Sequence, residues 1–390
     1  MLYWQADHLR PYQVETSLDL ENWMNLGPVQ IGNFSNPTLG ILVGYVPTKL
    51  FYRIRQGAVR PGFDSNNLTS SDDSGSEEAT IGFPINFANQ TWNTVWVNNN
   101  GNITFNDFYN RWTPLPIAST ETAMIAPFWA DVDTRNPPPS RPSPWTVRYG
   151  QGTVEGALAF GVNWADVGYF LGKTDKLNTF QLVLIDRSAG NSAGDFDIEF
   201  NYNQIGWNEG DHSNTLDDGY GNGRAARALI TDKLGTSMEV RGSGVNFDFL
   251  DEVINPNTRT STGSKNYSNG LIYRAHRNPV PGRYLIRYRN GVPLEDRVIL
   301  DAGPDPTALI NPQRTAFTLR GTSIPPQGST TSYLWTVVQG SATISSPNLL
   351  TTAISLPSFQ SATFKLSAVS QSGEMTIYSE DTVILDRAVP

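Results

Sequence analysis

Short runs of alternating apolar and polar residues dominate the chain, and turn-forming clusters separate them. Tyr12-Gln13-Val14-Glu15-Thr16 and Leu50-Phe51-Tyr52-Arg53-Ile54-Arg55 come first, followed by Thr94-Val95-Trp96-Val97 and Asn102-Ile103-Thr104-Phe105. Phe180-Gln181-Leu182-Val183-Leu184-Ile185, Phe196-Asp197-Ile198-Glu199-Phe200 and Arg283-Tyr284-Leu285-Ile286-Arg287-Tyr288 extend the pattern. A period of two puts alternate side chains on opposite faces of a strand, so these runs predict half-buried β-strands. Asn99-Asn100-Gly101-Asn102 joins two of them as a hairpin turn, where Gly and Asn tolerate positive φ. No long stretch carries helical spacing. The pattern therefore predicts an all-β, multi-domain chain of antiparallel β-sandwiches.

Breaks in the pattern divide the chain. Residues 1–60 read as a small β module with Trp23 beneath its sheet. Residues 61–78, which include Asp72, Asp73, Glu77 and Glu78, have few apolar groups to offset the entropy of ordering, and they read as an acidic linker. Residues 79–292 form the centre, and Asn136–Pro144 within it is Pro-rich and predicts a stiff extended loop. Residues 293–390 contain about seven short strands, as a sandwich requires, with Trp335 filling the space between its sheets.

Composition narrows the function. The 390 residues carry a net charge of −9, with no concentrated Lys/Arg patch of the kind that holds phosphate backbones, so nucleic acid is not expected as a partner. No apolar run reaches membrane-spanning length, so membrane insertion is not expected either. Cysteine is absent, which excludes disulfides, thiol nucleophiles and cysteine-based zinc sites. The start lacks the basic and apolar regions of a secretion signal, which fits a virion component released by lysis or a bacterial protein already processed.

Several residues could carry chemistry. Asp131 and Asp133, two apart on an expected strand, share a face and could form a Ca²⁺ site, a hydrolase pair or a structural hydrogen-bonding pair. Asp195, Asp197 and Glu199 repeat the spacing. His8, His212 and His276 show no metal-like spacing, and Gly219–Gly223 lacks the following helix of a phosphate loop. The rings Trp92, Trp96, Phe105, Phe108, Tyr109, Trp112, Phe128 and Trp129 could fill a core or form a platform for sugar faces. Trp112, beside Arg111, is the ring expected to make an exposed ligand contact.

The ordered runs GFPINFANQTWNTVWVNNNGNITF, MIAPFWADVDTR, FGVNWADVGYF, KLNTFQLVLIDR, DFDIEFNYNQIGW, DGYGNG, VRGSGVNFDFLD and NPVPGRYLIRYRNG resemble the nidogen-type extracellular domain. That family occurs in basement-membrane and other adhesion proteins and in bacterial surface proteins, so the resemblance implies a non-catalytic adhesion module. Residues 293–390 resemble the polycystic-kidney-disease repeat, which implies an immunoglobulin-like sandwich. The first segment, YQVETSLDLENWMNLGP…FYRIR, resembles small modules of large secreted bacterial proteins. Together these imply an exterior adhesion or structural protein, on a virion (decoration, collar, fibre or tail) or on a bacterial surface. Its expected partners are neighbouring subunits, a second copy through edge strands, or a host-surface glycan or protein. The alternative from another class is a glycan hydrolase with accessory sandwiches.

Overall fold

The computed structural model describes residues 1–390 apart from 21–22, 34, 36–37, 44–49, 138–145, 211–217, 222–223, 304–312 and 387–390. His212, most of the Pro-rich loop and part of Gly219–Gly223 lie outside the described residues.

Two large antiparallel sheets dominate. The first has nine strands in the spatial order Thr330–Gln339, Ala362–Ser372, Met375–Leu385, Thr236–Val240, Arg227–Thr231, Met124–Trp129, Asn102–Thr104, Gln90–Asn98 and Ala79–Phe87. The second runs Val292–Pro293, Arg283–Arg289, Phe196–Ile205, Lys173–Asp186, Ala157–Tyr169, Arg148–Val154 and Asn66–Asn67, with Val132–Asp133 added beside Ala157–Tyr169. Alternation sets the inner faces. Along Ala79–Phe87 the buried positions include Ile81, Phe83, Ile85 and Phe87, and they meet the second sheet. Phe87 lies 5.6 Å from Tyr288 and Phe128 lies 5.1 Å from Phe180, ring centre to ring centre, across the sandwich. Each large side chain buried here contributes roughly 1.5–3 kcal/mol.

Leu182, Val183, Leu184 and Ile185 are all buried although neighbours point to opposite faces, so this sheet is covered on both sides. The outer cover is Phe63, packed with Val154, Ala159, Val183 and Ile185. Gly161 makes room for it: a Cβ there would sit 2.4 Å from the Phe63 ring. The stretch 61–78 is consequently not the solvated linker that its composition predicts. Phe63 and Leu68 anchor it in the core, and Leu68 N donates to Val147 O at 2.9 Å while Ser76 N donates to Val97 O at 2.8 Å. Two apolar anchors and shared backbone hydrogen bonds outweigh the polar composition.

At the N-terminus, Pro11–Ser17 pairs with Phe51–Gln56 as the core of a small sheet. Trp23 is not beneath it: the ring is half-buried and Arg53 stacks 4.2 Å from its centre. At the C-terminus, Trp335 is 1% exposed and packs with Leu319, Ile354, Phe364, Leu366 and Val383 between the end of the nine-stranded sheet and the smaller sheet of Ala316–Arg320, Thr351–Ser355 and Thr343–Ile344. The hairpin of Ala362–Ser372 and Met375–Leu385 belongs to two cores. Phe364, Leu366, Val383 and Leu385 serve the C-terminal one, while Ala368, Met375 and Ile377 serve the central one.

Candidate functional site

Between Trp129 and Val132 the chain leaves one sheet and enters the other. Met124–Trp129 pairs with Arg227–Thr231 in the first sheet, and Val132–Asp133 pairs with Gly168 and Tyr169 in the second. Asp131 therefore sits at a sheet-switching corner and does not share a strand face with Asp133. The turn Asn99–Asn102 packs into this corner and is buried. Asn100 Nδ2 donates to Asp73 Oδ1 at 2.8 Å, and its Oδ1 accepts from Val132 N at 3.0 Å. Asn99 Nδ2 donates to Asp72 O at 2.6 Å, and Trp164 Nε1 donates to Asn99 O at 3.0 Å. Gly101, at φ +77°, is required because a Cβ would overlap Phe128 O.

The corner gathers negative charge. Asp133 is fully buried, is held by Arg135 Nη2 at 2.5 Å and accepts Gly172 N–H at 2.7 Å. Arg135 also reaches Asp72 at 2.9 Å. Asp131, 2% exposed, is pushed up to about 8 by burial first, then by Asp72, Asp73, Glu209 and Asp133. Asp72 is pushed up to about 7 by burial and by Asp133 and Asp73, with Arg135 opposing. The corner has more carboxylates than guanidinium groups, and protonation relieves the excess. Among the described residues, no group of three acidic or His side chains has the arrangement to hold a metal ion.

The second acidic run is committed to ion pairs and backbone contacts. Arg187 Nε holds Asp197 at 2.6 Å, Arg60 Nε holds Glu199 at 2.7 Å, and Asp195 accepts Asn290 N–H at 2.7 Å. His276 is buried against Asp296 at 2.9 Å. The aromatic candidates separate. Phe105, Phe128 and Trp129 are core, Trp92, Trp96 and Tyr109 are half-buried, and Phe108 and Trp112 are exposed, Trp112 by 38%. Arg111 beside it pairs with Glu121 at 3.2 Å and accepts Trp129 Nε1–H on its carbonyl at 2.8 Å.

A cleft of about 890 Å³ opens between the N-terminal module and the central sandwich. Asp7, His8 and Arg10 line one side, and Asp251, Tyr267 and Tyr273 line the other. The Tyr267 ring makes T-shaped pairs with both His8 (5.0 Å) and Tyr273 (4.8 Å). Sequence spacing gives no sign of this cleft, because its walls come from segments more than two hundred residues apart.

No solved structure matches the chain. Alpha-tectorin of Mus musculus is 33% identical over 156 residues, covering 36% of this chain and 7% of the relative. The Homo sapiens protein is 32% identical over the same length, with the same coverage. Nidogen of Drosophila melanogaster is 32% identical over 121 residues, 26% of this chain and 9% of the relative. The chain therefore spans under a tenth of the length of these relatives. The family model described as nidogen-like domain matches residues 93–230, which include the corner, its buried turn and the long central hairpin; the VRGSGVNFDFLD and NPVPGRYLIRYRNG runs lie beyond the match. Residues 93–230 are thus similar to the nidogen-like domain.

Proposed function

We propose that this protein is a non-catalytic adhesion or structural component displayed outside a cell, on a virion exterior or a bacterial surface. The nidogen-like domain carries this reading. Two features of the chain support it. The acidic pairs a glycan hydrolase would need are turned inward, Asp133 onto Arg135 and Glu199 onto Arg60, and neither pair is open to a substrate. The fold also contains no cysteine, so it completes equally well in a reducing cytoplasm, where a virion assembles, and outside the cell. The C-terminal unit, a sandwich packed around Trp335, serves as a spacer of the polycystic-kidney-disease type, and the first 60 residues serve as a small module of the secreted bacterial type. The partners are neighbouring subunits or a host-surface glycan or protein. Immunogold labelling of intact cells and particles from the native source tests the reading: gold is expected on an exterior surface, and labelling confined to the cytoplasm of intact cells would overturn it.

A further inference from the structure

We propose that the cleft between the N-terminal module and the central sandwich binds a neutral oligosaccharide, with Tyr267 as the wall against which a sugar ring packs and with Arg10 and Asp251 as hydroxyl partners. The volume, about 890 Å³, lies within the range of small-ligand sites, and the cleft occupies the seam between two units, where such sites concentrate. Two charged pairs in its wall are closed on themselves, Lys176 with Asp175 at 2.6 Å and Lys265 with Glu252 at 2.9 Å. The wall therefore offers little net field to an ion.

Among the side chains that line the cleft, Asp251 and Arg10 each hold a buried atom without a hydrogen bond, Oδ1 and Nε respectively. One is an acceptor and the other a donor. A sugar hydroxyl satisfies both kinds of group because it donates one hydrogen and accepts through its lone pairs. A buried polar atom without a partner is unfavourable, and a ligand reached by a small side-chain rotation can satisfy it. The other polar atoms of the same residues are fixed: Asp251 Oδ2 accepts Ile205 N–H at 3.0 Å, and Arg10 Nη2 donates to Asn203 O at 2.8 Å. Burial pushes the Asp251 carboxyl up to about 7, so near neutrality it can donate as well as accept. Tyr267, braced by His8 and Tyr273, supplies a rigid apolar ring beside these groups, the combination of one flat face and a few directional polar atoms that sugars require. The inference deepens the adhesive reading by naming a ligand class.

The test uses the full chain and soluble cellotriose, maltotriose and chitotriose, with 3′-sialyllactose as the anionic comparator, followed by saturation-transfer NMR and titration calorimetry. At least one neutral trisaccharide is expected to bind. Tyr267→Ala is expected to weaken it by about tenfold or more, equivalent to roughly 1.4 kcal/mol, and Asp251→Asn by a smaller factor. Tyr267→Phe, which keeps the ring, should retain binding and controls for misfolding of the alanine variant. Three results would overturn the proposal: no neutral trisaccharide binds, only the sialylated one binds, or Tyr267→Ala, folded by circular dichroism, binds undiminished. A negative panel alongside exterior immunogold labelling removes the saccharide and leaves the adhesive reading standing.

Discussion

The two ends of the chain join the central sandwich by opposite means. At the C-terminal seam the sheet simply continues: Thr236–Val240 pairs residue for residue with Met375–Ser379, and Met238, Val240, Met375 and Ile377 bury their side chains in the central core. At the N-terminal seam polar contacts predominate, beside Leu9 and the His8–Tyr267 ring pair. Arg60 binds Glu199 through two hydrogen bonds of 2.7 and 2.8 Å, Arg283 donates to Asn201 Oδ1 at 2.8 Å and to Ala58 O at 2.6 Å, and Gln181 Nε2 donates to Arg60 O at 2.9 Å. An apolar, hydrogen-bonded continuation makes two units one folding body. A polar seam positions its partner without fusing the cores, and it is there that a cleft opens.

Removing each end in turn tests whether the two seams differ. A chain ended after residue 292 loses the strand that covers Thr236–Val240 and uncovers Met238 and Val240. Loss on the order of 5 kcal/mol or more is expected, comparable to a whole domain's stability, and it should appear as aggregation or a collapsed melting temperature. A chain starting at residue 57 keeps Arg60, Glu199 and Arg283 and should melt much closer to the parent. Calorimetry of both chains decides. If residues 1–292 prove monomeric and as stable as the parent, the two seams do not differ in kind.

The second test strikes the polar seam at its centre. Burial alone would raise the Glu199 carboxyl, but Arg60 and Arg283 outweigh it and hold it below the usual carboxylate range. Glu199→Ala leaves two guanidinium groups at the seam without their carboxylate, a loss of about 3–5 kcal/mol for a broken buried pair. A lowered folded-state pKa gives stability that is present above the unfolded value, near pH 4.5, and is lost as pH falls through the folded value. The parent should therefore lose stability in acid through this group, and the variant should lack that part of the acid limb in urea titrations.

What the sequence made legible was local. The runs 94–97, 180–185, 196–200 and 283–288 are strands because alternation and β-branched or aromatic content are properties of a few neighbouring residues. Trp335 is buried in the sandwich where the strand count put it. Facts about pairing between distant segments were not legible. In Met375–Leu385 the polar run Ser379-Glu380-Asp381-Thr382 separates two apolar ends, and nothing in either end marks which core it serves. Asp131 and Asp133 have strand spacing, yet the chain changes sheets between Trp129 and Val132, so a period-two reading misassigns their faces. The acidic stretch was misread because Phe63 and Leu68 are two apolar residues in a polar run, too few to register in composition and enough to anchor it.

The sheet-switching corner supplies a third kind of buried charge against which the paired Glu199 can be judged. Asp131 and Asp72 have raised folded-state values, so the sign reverses: stability is fullest below the unfolded carboxylate value near pH 4 and declines as pH rises toward about 8. The two groups interact and titrate as a pair. Asp131→Asn keeps the shape and removes the charge. It should change stability little at pH 3 and stabilise the protein at pH 9 by on the order of 2–4 kcal/mol, a value reduced from the full linkage because Asp72 takes up part of the relief. Equal effects at both pH values in urea titrations would mean that the corner carries no excess charge.

The smallest expected effect returns to the C-terminal seam and asks whether charge contributes to it at all. Arg274 is buried and meets Glu374 at 2.5 Å, whereas Arg241 is 40% exposed and reaches the same carboxylate at 3.2 Å. An exposed partner gains little from a pair that water and salt already screen, about 0–1 kcal/mol. Arg241→Ala should therefore shift stability by less than about 1 kcal/mol, and added salt should shrink even that. The Arg241 backbone N–H, which donates to Glu374 O at 2.7 Å, is untouched by the substitution and keeps the hairpin end in place. A loss comparable to that of Glu199→Ala would mean that the C-terminal junction depends on its ion pairs as the N-terminal one does, and the distinction between a fused seam and a positioned one would fail at its strongest point.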